Sequence, residues 1–129
     1  MQGKRKIAII VRHETSQKCI GKGCLRAFNT YEDSFERYQG EEIELVAFCD
    51  DSGVSDDPIE NLKTRIEKFK KHGVDTVHVS TCNRAKNPNY ETMLELLSEA
   101  FDVVGYTHGS AKRKSKTETQ FSDEELSNL

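Results

Sequence analysis

Four short runs rich in β-branched residues alternate along the chain with segments of helical periodicity: Lys6-Ile7-Ala8-Ile9-Ile10-Val11, Ile43-Glu44-Leu45-Val46-Ala47-Phe48, Val74-Asp75-Thr76-Val77-His78-Val79 and Asp102-Val103-Val104-Gly105-Tyr106. Near-continuous apolar runs of this length suit strands buried on both faces, which is the condition of a parallel sheet. Parallel neighbours must be joined by crossovers, and right-handed crossovers put helices on both sides of the sheet. The order βαβαβαβ therefore predicts a three-layer α/β fold around a four-stranded parallel sheet, for which the strand order 2-1-3-4 is expected.

The intervening segments carry helix signals. Cys24, Phe28, Tyr31, Phe35 and Tyr38 recur every three or four residues, which predicts one helix with a single apolar face, closed by Gly40. Asp57-Pro58-Ile59-Glu60 reads as an N-cap, a proline at the first helical position and a capping-box glutamate, ahead of a stripe of Leu62, Ile66 and Phe69 and a stop at Gly73. A third helix is expected to start at Asn87-Pro88 and to bury Tyr90, Met93, Leu94, Leu97 and Phe101. The pattern is that of flavodoxin-like or Rossmann-like domains.

Each strand runs out at or beside a cysteine or histidine: His13, Cys49, Cys82 and His108. In an open α/β sheet the carboxyl ends of the strands share one edge, and ligands bind there at the point where strand order reverses. With order 2-1-3-4 that point lies between the first and third strands, so the loops after His13 and Cys82 should flank the crevice.

The chain has 129 residues, enough for one domain over residues 1–109, followed by a polar and basic stretch over 110–129 that reads as a flexible tail with at most a helical turn at Ser122–Leu126. A formal charge of −3, with charges mixed in sign, gives no reason to expect nucleic acid or an anionic membrane as partner. Without a long apolar run or a secretory segment, a cytoplasmic protein with reduced thiols is expected. Four cysteines in that setting suit metal or thiol chemistry better than a disulfide framework. A homodimer is the default oligomer to consider.

Cys19 and Cys24 lie in Lys18-Cys19-Ile20-Gly21-Lys22-Gly23-Cys24, where two glycines free the backbone to curl. This loop could supply two zinc ligands, with Cys82 and either His13 or His108 completing a tetrahedron. An iron–sulfur cluster would instead use Cys19, Cys24, Cys49 and Cys82. Structural readings compete. Cys24 shares the apolar stripe of its helix and Cys49 ends a strand, so either can be core. His78, between Val77 and Val79, reads as a satisfied core histidine, and His72 as a cation at a helix C-terminus.

The segments Cys19–Asn29, Phe35-Glu36-Arg37-Tyr38, Glu44–Phe48, Val77–Cys82 and Gly105-Tyr106-Thr107-His108 resemble the CGGC-domain family over roughly residues 5–109. The resemblance implies a small prokaryotic protein and a metal, usually zinc, held by cysteines and histidines; it implies no particular reaction. Matching positions are Cys19, Cys24, Cys82, His78 and His108. Two departures stand out: Asp51-Ser52-Gly53-Val54 occupies the place of the family's Cys-Gly-Gly-Cys signature, and Asn87-Pro88-Asn89 the place of a frequent Cys-Pro-His. Carboxylates of Asp50 or Asp51 would be harder substitute ligands.

Three alternatives remain open on the residues. Cys82 could be a metal-free nucleophile or redox thiol, with His108 as its base. A phosphatase-like phosphate loop is disfavoured because Cys19 lies past the strand end and Arg26 falls one position late. The Gly21–Gly23 loop with Lys22 could bind an anion, although it lacks the full dinucleotide fingerprint that a nicotinamide or flavin would call for.

Overall fold

A computed structural model describes residues 4–52 and 56–111. Four parallel strands, β1 (Arg5–Val11), β2 (Ile43–Asp50), β3 (Thr76–Val79) and β4 (Asp102–Val104), form one sheet in the order β2-β1-β3-β4. The expected strand order and direction are both present. The tail beyond Ala111 lies outside the described residues, as does the helical turn expected at Ser122–Leu126.

Alternation along β1 sorts the core into two layers. Ile7, Ile9 and Val11 pack with Cys24, Ala27, Phe35 and Tyr38 on one face. Ala8 and Ile10 pack on the other face with Leu62, Ile66, Phe69, Tyr90, Met93 and Leu97. The helices α3 (Pro58–Lys71) and α5 (Tyr90–Ser98) cover the second face, and α2 (Lys22–Thr30) the first. Two short helices, α1 (His13–Ser16) and α4 (Thr81–Lys86), follow β1 and β3 directly.

The helix start at Asp57 is as the sequence indicates: its carboxylate accepts from the Glu60 N–H at 3.0 Å, Pro58 takes the first position, and Gly73 ends the element at φ 79°. Two expectations need correction. The single helix from Cys24 to Tyr38 is broken, because α2 ends at Thr30 and a separate 3-10 helix covers Asp33–Tyr38. Tyr31, just past α2, and Asp33, the first residue of the 3-10 helix, take left-handed backbone at φ 56° and 53°. The apolar period survives the break because both pieces still bury the same face. The third helix begins at Tyr90 rather than at Asn87-Pro88, whose residues form the turn between α4 and α5.

One irregularity in β2 matters for the site. β1 and β2 keep register from Arg5 to Ile7 with Ile43 to Leu45, then Ala8 pairs with Ala47, so Val46 is an extra residue. Val46 and Ala47 consequently both pack toward α3. Beyond the bulge Phe48 lies beside Ile9 and Cys49 beside Ile10, the reverse of the parity an unbroken ladder would give.

Candidate functional site

At the carboxyl edge of the sheet a cavity of about 780 Å³ opens between the segments that follow β1 and β3. Cys19, Cys24, Cys82 and His108 line it. They arrive from four places: the loop before α2, the first turn of α2, the start of α4 and the loop after β4.

Cys24 is buried, and its Sγ lies 3.1 Å from the Thr107 hydroxyl. Burial pushes its thiol up to about 11, against the smaller opposing effect of that hydrogen bond. Cys82 is half-buried, with Sγ 2.9 Å from the hydroxyl of Ser80, the residue that caps α4 by accepting from the Asn83 N–H. Cys19 is also half-buried and accepts from the Gly21 N–H at 3.3 Å.

His108 is fixed by its backbone. The Thr81 hydroxyl donates to the His108 carbonyl at 2.6 Å and accepts from the N–H groups of Thr107 and His108, each at 3.2 Å. One buried hydroxyl thus ties the end of β3 to the loop after β4. The imidazole rests against Gly23, and burial holds its pKa below the ordinary histidine value. It is therefore a neutral nitrogen donor at pH 7.

Two expected site residues lie elsewhere. The bulge at Val46 turns Cys49 onto the α3 face, where it packs against the Leu62 and Ile66 core, while Cys24 belongs to the opposite layer. Burial raises the Cys49 thiol as well. The four thiols are consequently not gathered into one cluster. His13 donates from Nδ1 to Asp50 at 2.6 Å, and its N–H donates to Asp51 at 2.9 Å. It lines a separate cavity of about 130 Å³ with Asp51, Asn87 and Met93. Asp50 also accepts from Arg65 and the Ser52 N–H; although burial acts to raise its pKa, these hydrogen bonds and that from His13 together hold its carboxyl below the usual range.

His78 is the satisfied core histidine its flanks suggest. It is fully buried, stacked on Phe35 with centroids 4.1 Å apart. Nδ1 faces the Tyr106 carbonyl at 3.2 Å, which can only accept, so Nδ1 carries the proton and Nε2 accepts from the Tyr38 hydroxyl at 2.8 Å. Ser34, 3.0 Å from Nδ1, donates to the Thr107 carbonyl at 2.8 Å. With both nitrogens engaged, His78 has no lone pair to offer a metal.

Arg26 pairs with Glu32 at 3.0 Å and Asp33 at 3.5 Å on the surface, and it does not line the thiol cavity. A phosphate-loop arrangement thus lacks its guanidinium. Sequence reasoning missed Thr81, Thr107 and Phe48. Thr81 directly precedes Cys82 and Thr107 directly precedes His108, and adjacency was the one available signal.

The donor types suit a thiophilic ion: soft sulfurs and one neutral imidazole. Their present spacing does not, since among the described residues no three His, Cys, Asp or Glu side chains are grouped closely enough to hold one. Nor, among those residues, is any helix long and apolar enough to cross a membrane. Comparison with curated proteins and with solved structures gives no match. A family model, the CGGC domain, matches residues 6–108. That span takes in all four cavity donors and the sheet from Lys6 onward, and the chain belongs to the CGGC-domain family.

Proposed function

We propose that this protein binds one thiophilic metal ion, zinc before iron, through Cys19, Cys24, Cys82 and His108. The observation that carries this reading is the convergence on one cavity of three thiols and a neutral imidazole from four separate segments. Cys24, Cys82 and His108 come from the cavity's walls, and Cys19 from a loop whose tip, Ile20, is 85% exposed. Coordination would require the three wall donors to draw together as well as inward closure of that loop, since no three of these side chains are grouped closely enough at present. A bound metal would supply a cross-link between the β1, β3 and β4 ends, and a Lewis acid if one position stayed open. The high pKa of Cys24 is no obstacle, because coordination deprotonates a thiol outright. Such a site calls for a compartment that keeps thiols reduced, which favours the cytoplasm.

Replacing Cys19 or Cys82 with serine tests the reading. Each variant should lose most bound zinc and the thermal stabilisation that zinc gives the wild type, because metal held by the native fold adds to its stability. Wild-type zinc content in both variants would overturn it.

A second reading is favoured by one observation. Cys24 and Cys49 have thiols raised by burial, which leaves half-buried Cys82 and Cys19 as the candidates for metal-free thiol chemistry. It predicts rapid alkylation of one of these two near neutral pH.

A further inference from the structure

A zinc ion with ligands at about 2.0–2.3 Å needs a small corner of this cavity. The whole measures about 780 Å³, within the range of roughly 300–1,000 Å³ typical of small-molecule sites. Its wall composition is unusual for this chain in two independent ways.

The first is apolar. Ile20, 85% exposed, and Phe48, 41% exposed, are the exposed large hydrophobic residues among the described part of the chain, and both line this one cavity. Phe48 is there because of the bulge at Val46, without which the strand would turn it toward α3. Its ring lies over Gly21, where a Cβ would come within 3.0 Å of Cζ, so the glycine leaves room for the ring to lie over the loop. The second is electrostatic. Arg12, Lys18 and Lys86 line the cavity with one carboxylate, Glu14, which is paired to Arg12 at 2.7 Å, and Lys86 is itself engaged with a neighbouring group. A chain of formal charge −3 thus gathers cations around one concave surface.

We propose that the cavity binds a small aromatic anion, its apolar body laid on Ile20 and Phe48 and its phosphate or carboxylate head directed to Lys18. Aromatic body and acidic head answer the two features of the wall, and neither a bare metal ion nor inorganic phosphate would use both. The inference needs no metal in the site.

The test is an NMR titration of the reduced, chelator-treated, isotopically labelled full chain with four probes: 1-naphthyl phosphate, 1-naphthoate, 1-naphthol and inorganic phosphate. Saturable shifts at Lys18, Gly21, Phe48 and Cys82 are expected for at least one naphthyl anion, with 1-naphthol and inorganic phosphate binding about tenfold or more weaker. The ratio between the two naphthyl anions assigns the head group. Ile20→Ser, at a position too exposed to affect folding, and Lys18→Glu should each weaken binding about fivefold or more, a loss of about 1 kcal/mol. Naphthol binding as tightly as the anions, inorganic phosphate matching naphthyl phosphate, shifts outside the cavity, or no saturable shifts would each overturn the proposal. Zinc uptake is read separately on the same samples. Anion binding without zinc uptake supports this inference while removing the metal reading, and zinc uptake without anion binding does the opposite.

Discussion

The imidazole of His108 lies so close to Gly23 that a Cβ at that position would come within 3.0 Å of Cδ2 and 3.1 Å of Nε2. Gly23 sits in the first turn of α2, one residue before Cys24, with ordinary negative φ, so backbone freedom is not the reason for a glycine there. Close approach of the ring is. Gly23→Ala should raise helix propensity by up to about 1 kcal/mol and yet push the imidazole aside. The expected result is an unchanged or slightly higher melting temperature, shifted His108 ring resonances and zinc affinity reduced by about tenfold. Unchanged His108 resonances would show that the ring does not rest there.

Thr81 should matter to the site through His108 rather than by contact with a ligand. Thr81→Val keeps the side-chain shape and removes the hydroxyl that bridges the Thr107 and His108 N–H groups and the His108 carbonyl. Leaving those buried groups unpaired should cost about 1–3 kcal/mol. Hydrogen exchange at the amides of Thr107 and His108 should accelerate selectively. Thr81→Ser, which retains the hydroxyl, should restore their protection.

The His78 pocket gives the fold a pH dependence. Burial lowers its pKa from 6.5 to about 3, the hydrogen bond to Tyr106 opposing the shift only in part. The unfolded chain therefore holds more protons than the folded one between these values, and stability falls as pH falls through that window. Above the unfolded value this group contributes no slope. Unfolding free energies from denaturant titrations between pH 6.5 and 5, above the range where Asp50 titrates, should fall with a slope approaching about 1.4 kcal/mol per pH unit from this histidine, to which the lowered pKa of His108 adds in the same direction. His78→Gln should be less stable at pH 7, since Tyr38 and Tyr106 lose well-placed partners, and should lack that part of the slope.

The sheet was legible because its two central strands, β1 and β3, are buried on both faces. β1 has five consecutive buried residues, and that run is written directly as Ile7-Ala8-Ile9-Ile10-Val11. Asp57, Pro58 and Gly73 announced α3 because caps and stops are local chemistry. What stayed hidden depends on partners distant in sequence. The break at Tyr31 leaves the apolar period intact, so a pattern of three and four cannot distinguish one helix from a helix followed by a 3-10 turn that carries Ser34 and Tyr38 to His78. The helices α1 and α4 are too short to show any period.

The site was legible in part for the same reasons. Cys19, Cys24, Cys82 and His108 line one cavity because strand order brings their loops together; the pattern gave the element order, and the strand order chosen for it, 2-1-3-4, is the one present. Cys49 does not join them because one inserted residue, Val46, reverses the faces of everything after it in β2, and nothing in Leu45-Val46-Ala47 marks a bulge. His13 is drawn off by Asp50 and Asp51, residues noticed as substitute ligands rather than as hydrogen-bond partners for a histidine.

The bulge itself is open to test. Deleting Val46 should join Leu45 directly to Ala47 in an unbroken ladder and leave Phe48 beside Ile9 and Cys49 beside Ile10, because the pairing beyond the bulge already runs one residue ahead. Cys49 should stay on the α3 face and react with alkylating reagents no faster than in the wild type. Faster alkylation of Cys49 in the deletion variant would show that the strand slips register instead of closing the bulge.

The most direct measurement is elemental analysis of protein purified without air or chelator, combined with mass-spectrometric mapping of which cysteines resist alkylation. About one zinc or iron per chain, with Cys19, Cys24 and Cys82 protected until the metal is removed and Cys49 indifferent to it, is the expected result. No bound metal in protein that also fails to take up added zinc, with Cys19 and Cys82 alkylating at the same rate in its presence and absence, would contradict it.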